Sequence, residues 1–135
     1  MVQGLKGGVK FLQAREDTES LEIIRGLMPG LTNTIDADLH RFRFRDVIST
    51  IRSFQDIFVE QDYQVEVLSK DQLATLHRMC NKYLVEYIEK SKQDINGHEY
   101  ANLIEILRFA SEQGFGGIYE DSLIERLVQV FIKDQ

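Results

Sequence analysis

The strongest constraint on the fold is an apolar stripe with helical period. Phe44, Val47, Ile48, Ile51, Phe54 and Phe58 recur at steps of three and four, with Asp46, Ser49, Arg52 and Asp56 between them. Such spacing puts the apolar groups on one face of a helix and the polar ones on the other. The same period returns in Leu73, Leu76, Cys80, Tyr83, Leu84, Tyr87 and Ile88. Ser69 and Gln72 open that helix as a capping box, and it ends near Lys90–Lys92. Tyr100, Leu103, Ile104 and Leu107 begin another helix after the turn signal Asn96-Gly97, running to about Gln113. A final helix starts at Asp121 or Ser122 and carries Leu123, Ile124, Leu127, Val130 and Phe131.

An earlier helix spans Thr18 to Met28, with Asp17 or Thr18 as N-cap and Pro29-Gly30 as its stop. The polar stretch Leu31–Leu39 then reads as a loop. Tyr63 to Val67 alternates like a strand, but a lone strand has nothing to pair with. The expected fold is therefore all-α: about five amphipathic helices in a bundle or a two-hairpin, solenoid-like array. With 135 residues, 43% of them hydrophobic, the chain suits one domain over residues 18–135. No apolar run approaches the 18 residues of a membrane span.

Charge is unevenly spread. The overall value is −6. Residues 1–15 contain Lys6, Lys10 and Arg15 and no acid, so the other 120 residues carry −9. A basic, acid-free start resembles an organellar presequence, although it lacks serine. Gly4, Gly7 and Gly8 disfavour a helix there and point instead to an extended basic arm over residues 1–17 lying along a partner. The single cysteine excludes an internal disulfide and suggests a reducing, intracellular compartment, mitochondrial or cytoplasmic.

Phe44–Arg52 matches Tyr100–Arg108 in residue character, and a second amphipathic helix follows each. This suggests two helical-hairpin units, 44–92 and 100–133. Within the second, Ala101–Phe131 combines a first helix ending in Ala110 and Ser111, a glycine-containing turn and a Leu-rich second helix. That segment resembles the helical-hairpin repeats of the octotricopeptide and FAST-kinase-like families of mitochondria and chloroplasts. The resemblance covers about a quarter of the chain and implies an organellar helical array associated with RNA. The family's RNA-contacting positions have no counterpart on these helices.

Among local constellations, His40-Arg-Phe-Arg-Phe-Arg45 stands out. Arg41, Phe42, Arg43 and Arg45 suit a protein interface, where arginine and aromatics anchor contacts. They also suit base stacking with phosphate pairing, or a packed helix entrance with Phe42 as staple. The acidic body argues against nucleic acid and favours protein partners with acidic surface. Together with Lys6, Lys10 and Arg15 these residues form the expected partner-binding set.

No catalytic or cofactor motif appears. Asp94 to Glu105 fails as an EF-hand because Glu99 and His98 occupy positions needing glycine and a calcium ligand. His77 and Cys80 share a helix face but lack further zinc ligands. The glycines before Lys10 have neither the spacing nor the Lys-Ser/Thr pair of a phosphate loop. The expectation is a non-enzymatic, cofactor-free and metal-free interaction module, an accessory subunit or adaptor, with organellar RNA binding as the alternative.

Overall fold

The computed structural model describes residues 2–61, 65–90, 97–119, 121, 123–125 and 128–129. It is all-α. Its helices are α1 (Val2–Ala14), α2 (Thr18–Asp38), α3 (Phe44–Glu60), α4 (Lys70–Lys90) and α5 (Gly97–Glu112), and residues 121, 123–125 and 128–129 are also helical. Short 3₁₀ turns occupy Leu39–Arg41 and Gly116–Ile118. Among the described residues there is no strand, and no helix is long and apolar enough to cross a membrane.

Helix α3 is the centre of the packing, touching α1, α4 and α5. Val47, Ile48, Ile51, Phe54 and Ile57 are all buried. Helix α4 turns back against it, with the Phe44 ring tilted against Tyr87 at 4.9 Å between centroids and Gln55 reaching His77. Helices α1 and α5 flank it on opposite sides and run in its own direction. Lys6 meets Asp56 and Lys10 meets Glu60 on one side. On the other, Arg52 bonds Asn102, Gln55 bonds the Ile106 carbonyl, and Phe58 meets Phe109 edge-on. Pairings that advance together along two helices require parallel axes. The sequence offset stays near fifty residues in each pair.

Residues 2–14 are not an extended arm. The glycines cost helix propensity, but Val9 is 3% exposed in the core and Leu5 and Leu12 pack against it. Burying one such side chain contributes about 1.5–3 kcal/mol, enough to offset about 1 kcal/mol per glycine when three side chains share the task. All three glycines face open space. The helix ends in a Schellman motif: the Glu16 N–H donates to Gln13 O and the Asp17 N–H to Leu12 O. Glu16 takes the left-handed φ of 57° that this motif demands. Helix α5 ends the same way, with Gly114 at φ 84° and the Phe115 N–H donating to Ala110 O.

The proline stop also fails. Helix α2 continues through Pro29 to Asp38, because Leu21, Met28, Thr32 and Ile35 make one buried stripe across it. The stretch expected as a loop, Leu31–Leu39, is therefore helix and 3₁₀ turn. Pro29 itself is exposed, so its ring meets no neighbouring helix.

Other local expectations match. Asp17 caps α2 by accepting from the Ser20 N–H and hydroxyl. Ser69 and Gln72 form both bonds of the capping box, at 2.9 and 3.1 Å. Val65 and Val67 are buried without forming a strand. The Gln61 side chain closes their loop instead, bonding both the N–H and the carbonyl of Leu68 at 2.9 Å. Asn96, Lys92, Ser122 and Phe131 lie outside the described residues.

Two outcomes are expected from denaturant titration. Val9→Asp places a carboxylate in the core and should cost about 3 kcal/mol, whereas an undocked arm would give no change. Glu16→Gly relieves the left-handed strain and should add about 1 kcal/mol.

Candidate functional site: a charged groove over α3

Because α1 and α5 flank α3 on opposite sides, the polar strip of α3 between them forms the floor of a groove. Arg45, Ser49, Arg52 and Asp56 occupy that strip at helical spacing. Toward the N-terminal end of α3 the groove widens into a cleft of about 300 Å³, with Lys6 on the α1 wall and His98, Glu99 and Asn102 on the α5 wall. Lys6 is tied to Asp56 at 2.9 Å, and the bond and the charge of that carboxylate raise the lysine pKa. Arg52 donates from Nη1 to Asn102 Oδ1.

Further along, the groove narrows to about 150 Å³ and changes sign. Glu60, Glu105 and Glu112 line this part with Arg108, which pairs with Glu105 and Glu112 at 3.6 Å. Val59, 63% exposed, stands among them. One groove thus has a cationic end and an acidic end.

The residues expected to bind partners do not form one patch. Lys6 and Arg45 both line the cleft. Lys10 lies near Glu60 at 3.6 Å, and Arg15 sits 5.3 Å above the Phe11 ring. Arg41 is exposed on the 3₁₀ turn. Arg43 pairs with Asp46 at 2.9 Å, which raises its own pKa and lowers that of the carboxyl. Phe42 is half-buried against the core, and its carbonyl accepts from the Tyr83 hydroxyl at 2.9 Å. Arg52 and His98 were missed. Arg52 was legible as the continuation of the Arg45–Ser49 strip, but His98 reaches the cleft only through the packing of α5.

A second polar cluster lies under the groove, fully inside. Gln55 Nε2 is 3.3 Å from Ile106 O and 3.4 Å from His77 Nε2, and His77 Nδ1 is 2.6 Å from the Tyr119 hydroxyl. The proton inventory fixes every role. A carbonyl only accepts, so the Gln55 atom facing it is the NH₂ group, whose second hydrogen goes to His77 Nε2. His77 Nε2 then accepts, Nδ1–H donates to Tyr119, and the Tyr119 hydroxyl donates to Cys80. Burial pushes the His77 pKa down to about 4 and the Cys80 thiol up to about 12, and raises Tyr119. Both imidazole nitrogens are thereby committed, and the His77–Cys80 pair is a packing element. Among the described residues no three His, Cys, Asp or Glu are grouped to hold a metal.

No protein-family model, curated protein or solved structure matches this chain.

The buried imidazole makes stability depend on pH. In the unfolded chain His77 takes up a proton near pH 6.5, whereas in the folded protein it does so only near 4. Its contribution is therefore complete above pH 6.5 and is lost progressively as pH falls to about 4, by about 3 kcal/mol. Denaturation curves at pH 7, 5.5 and 4 should show that slope, and His77→Phe should remove about that much of it.

Proposed function

We propose that this chain is a non-enzymatic interaction module, an accessory subunit or adaptor of a larger assembly, and that the groove over α3 is its docking face. The observation that carries this reading is the convergence of three parallel helices around one strip of charge. Side-by-side helices of like direction, each followed by a returning helix, are the packing of stacked hairpins, which present their inner layer to partners. On this reading α1–α2 is the first hairpin and α3–α4 the second. Helix α5 with the helical residues after it is the third. The resemblance of Ala101–Phe131 to organellar hairpin repeats agrees with that arrangement.

The buried titratable groups support a structural role. His77, Tyr119 and Cys80 are buried and bond one another. Helix α1 supports retention of the basic N-terminal residues in the folded body, since its loss would uncover Ile57 and leave Asp56 and Glu60 without their lysines.

RNA binding draws on the same cationic cleft. The acidic half of the groove opposes it, because a nucleic-acid backbone laid along α3 would meet Glu60, Glu105 and Glu112. A partner of mixed charge, acidic toward the N-terminal end of α3, satisfies both halves.

Affinity capture with the full chain tests this. Arg45→Glu combined with Arg52→Glu should abolish co-purification of protein partners with helical circular dichroism unchanged, while Arg41→Glu should leave it intact. Capture that survives the groove variant, or is lost with Arg41→Glu alone, contradicts the assignment.

A further inference from the structure

The cationic cleft is lined by three basic side chains, Lys6, Arg45 and Arg52, together with His98 and the hydroxyls of Ser49 and Ser53. Arg45 and Arg52 lie seven residues apart on α3, about 10 Å along the axis, with Ser49 midway and Ser53 beside Arg52. Asn102 holds the Arg52 guanidinium to the α5 wall through one N–H, leaving most of its donors available. Of the two carboxylates lining the cleft, Asp56 is bound to Lys6 and Glu99 stands on the α5 wall, while Asp46, which Arg45 also approaches, is bound to Arg43. The cleft, about 300 Å³, holds roughly ten times the volume of one water, enough for an anionic head and the side chain carrying it.

We propose that this cleft is an oxyanion site that takes a single phosphoryl group borne on a side chain of the protein partner, held by Arg45 and Arg52 with the Ser49 and Ser53 hydroxyls. The inference rests on the groove being a docking face and names what its cationic end recognises. Two guanidinium groups with two hydroxyls supply more donors than the two oxygens of a carboxylate need and enough for the three terminal oxygens of a phosphoryl group. The group is single because the groove turns acidic immediately beyond Asp56. A polyanion repeats its charge every few Å and would bring its next phosphates to Glu60, Glu105 and Glu112, whose three carboxylates outnumber the Lys10 and Arg108 cations paired with them.

Titration of the isotopically labelled full chain by nuclear magnetic resonance, with inorganic phosphate and then a phosphoserine peptide, tests the site. Saturable 1:1 shifts on the N-terminal halves of α3 and α5 are expected, tighter for the peptide. Arg45→Gln and Arg52→Gln should each weaken binding about tenfold or more, and Arg41→Gln should leave it unchanged. Ser49→Asp adds a carboxylate without removing a cation and should abolish binding while the rest of the spectrum stays native. The proposal is overturned if no saturable shift occurs, if acetate binds as well as phosphate, or if a single-stranded oligonucleotide outcompetes the peptide. Partner capture that depends on Arg45 and Arg52 in a protein blind to phosphate would sink this site alone. Loss of neither property in the groove variants would sink the docking face as well.

Discussion

The amide of Gln55 is the joint on which the structure turns. One hydrogen goes to the Ile106 carbonyl of α5 and the other to His77 of α4, so a single side chain on α3 sets the position of both neighbours. Every other polar atom of the cluster follows from that commitment: His77 must be neutral with its proton on Nδ1, Tyr119 must accept from it, and Cys80 must receive the hydroxyl hydrogen. Breaking one partner leaves buried donors unpaired, a cost of about 1–3 kcal/mol for each orphaned group. The groove inherits this precision, because the place of α5 along α3 decides that Asn102 stands beside Arg52.

Helix α1 is held differently. Its ion pairs with Asp56 and Glu60 are partly solvent-exposed, and such pairs contribute about 0–1 kcal/mol each. The apolar contacts of Leu5, Val9 and Leu12 supply the attachment. The lysines instead fix register and neutralise the carboxylates on the α1-facing side of α3.

Much of the fold was legible from local signals. The stripe of α3, the capping box at Ser69, the Asp17 cap and the glycine terminator after α5 are short-range features whose physics does not need the rest of the molecule. What escaped was tertiary. Three glycines in α1 and the proline in α2 each lower helix propensity, and burial of Val9 and of the Leu21–Ile35 stripe overrides them. The candidate site was half visible. The arginine-rich segment was conspicuous, yet the 3₁₀ turn and the start of α3 scatter its members, so that Arg43 serves Asp46, the Phe42 carbonyl serves Tyr83 and only Arg45 points into the groove. His98 and Asn102 were invisible as site residues because a fifty-residue offset between packed helices has no signature in either helix alone.

The parallel alignment of α1, α3 and α5 has an electrical consequence. The returning helices, α4 among them, offset much of the long-range macrodipole, but three N-termini at one end of the groove still place roughly half a positive charge each within a turn of it, with the negative counterparts at the other end. The cationic side chains sit at the positive end and the glutamates at the negative end, so backbone and side chains reinforce one field. A molecule of complementary polarity approaching the groove would be turned along it before contact. That pre-alignment raises the rate of productive encounters and fades as salt shortens the reach of the field. A chain whose net charge is negative can in this way present a definite polarity to whatever it binds.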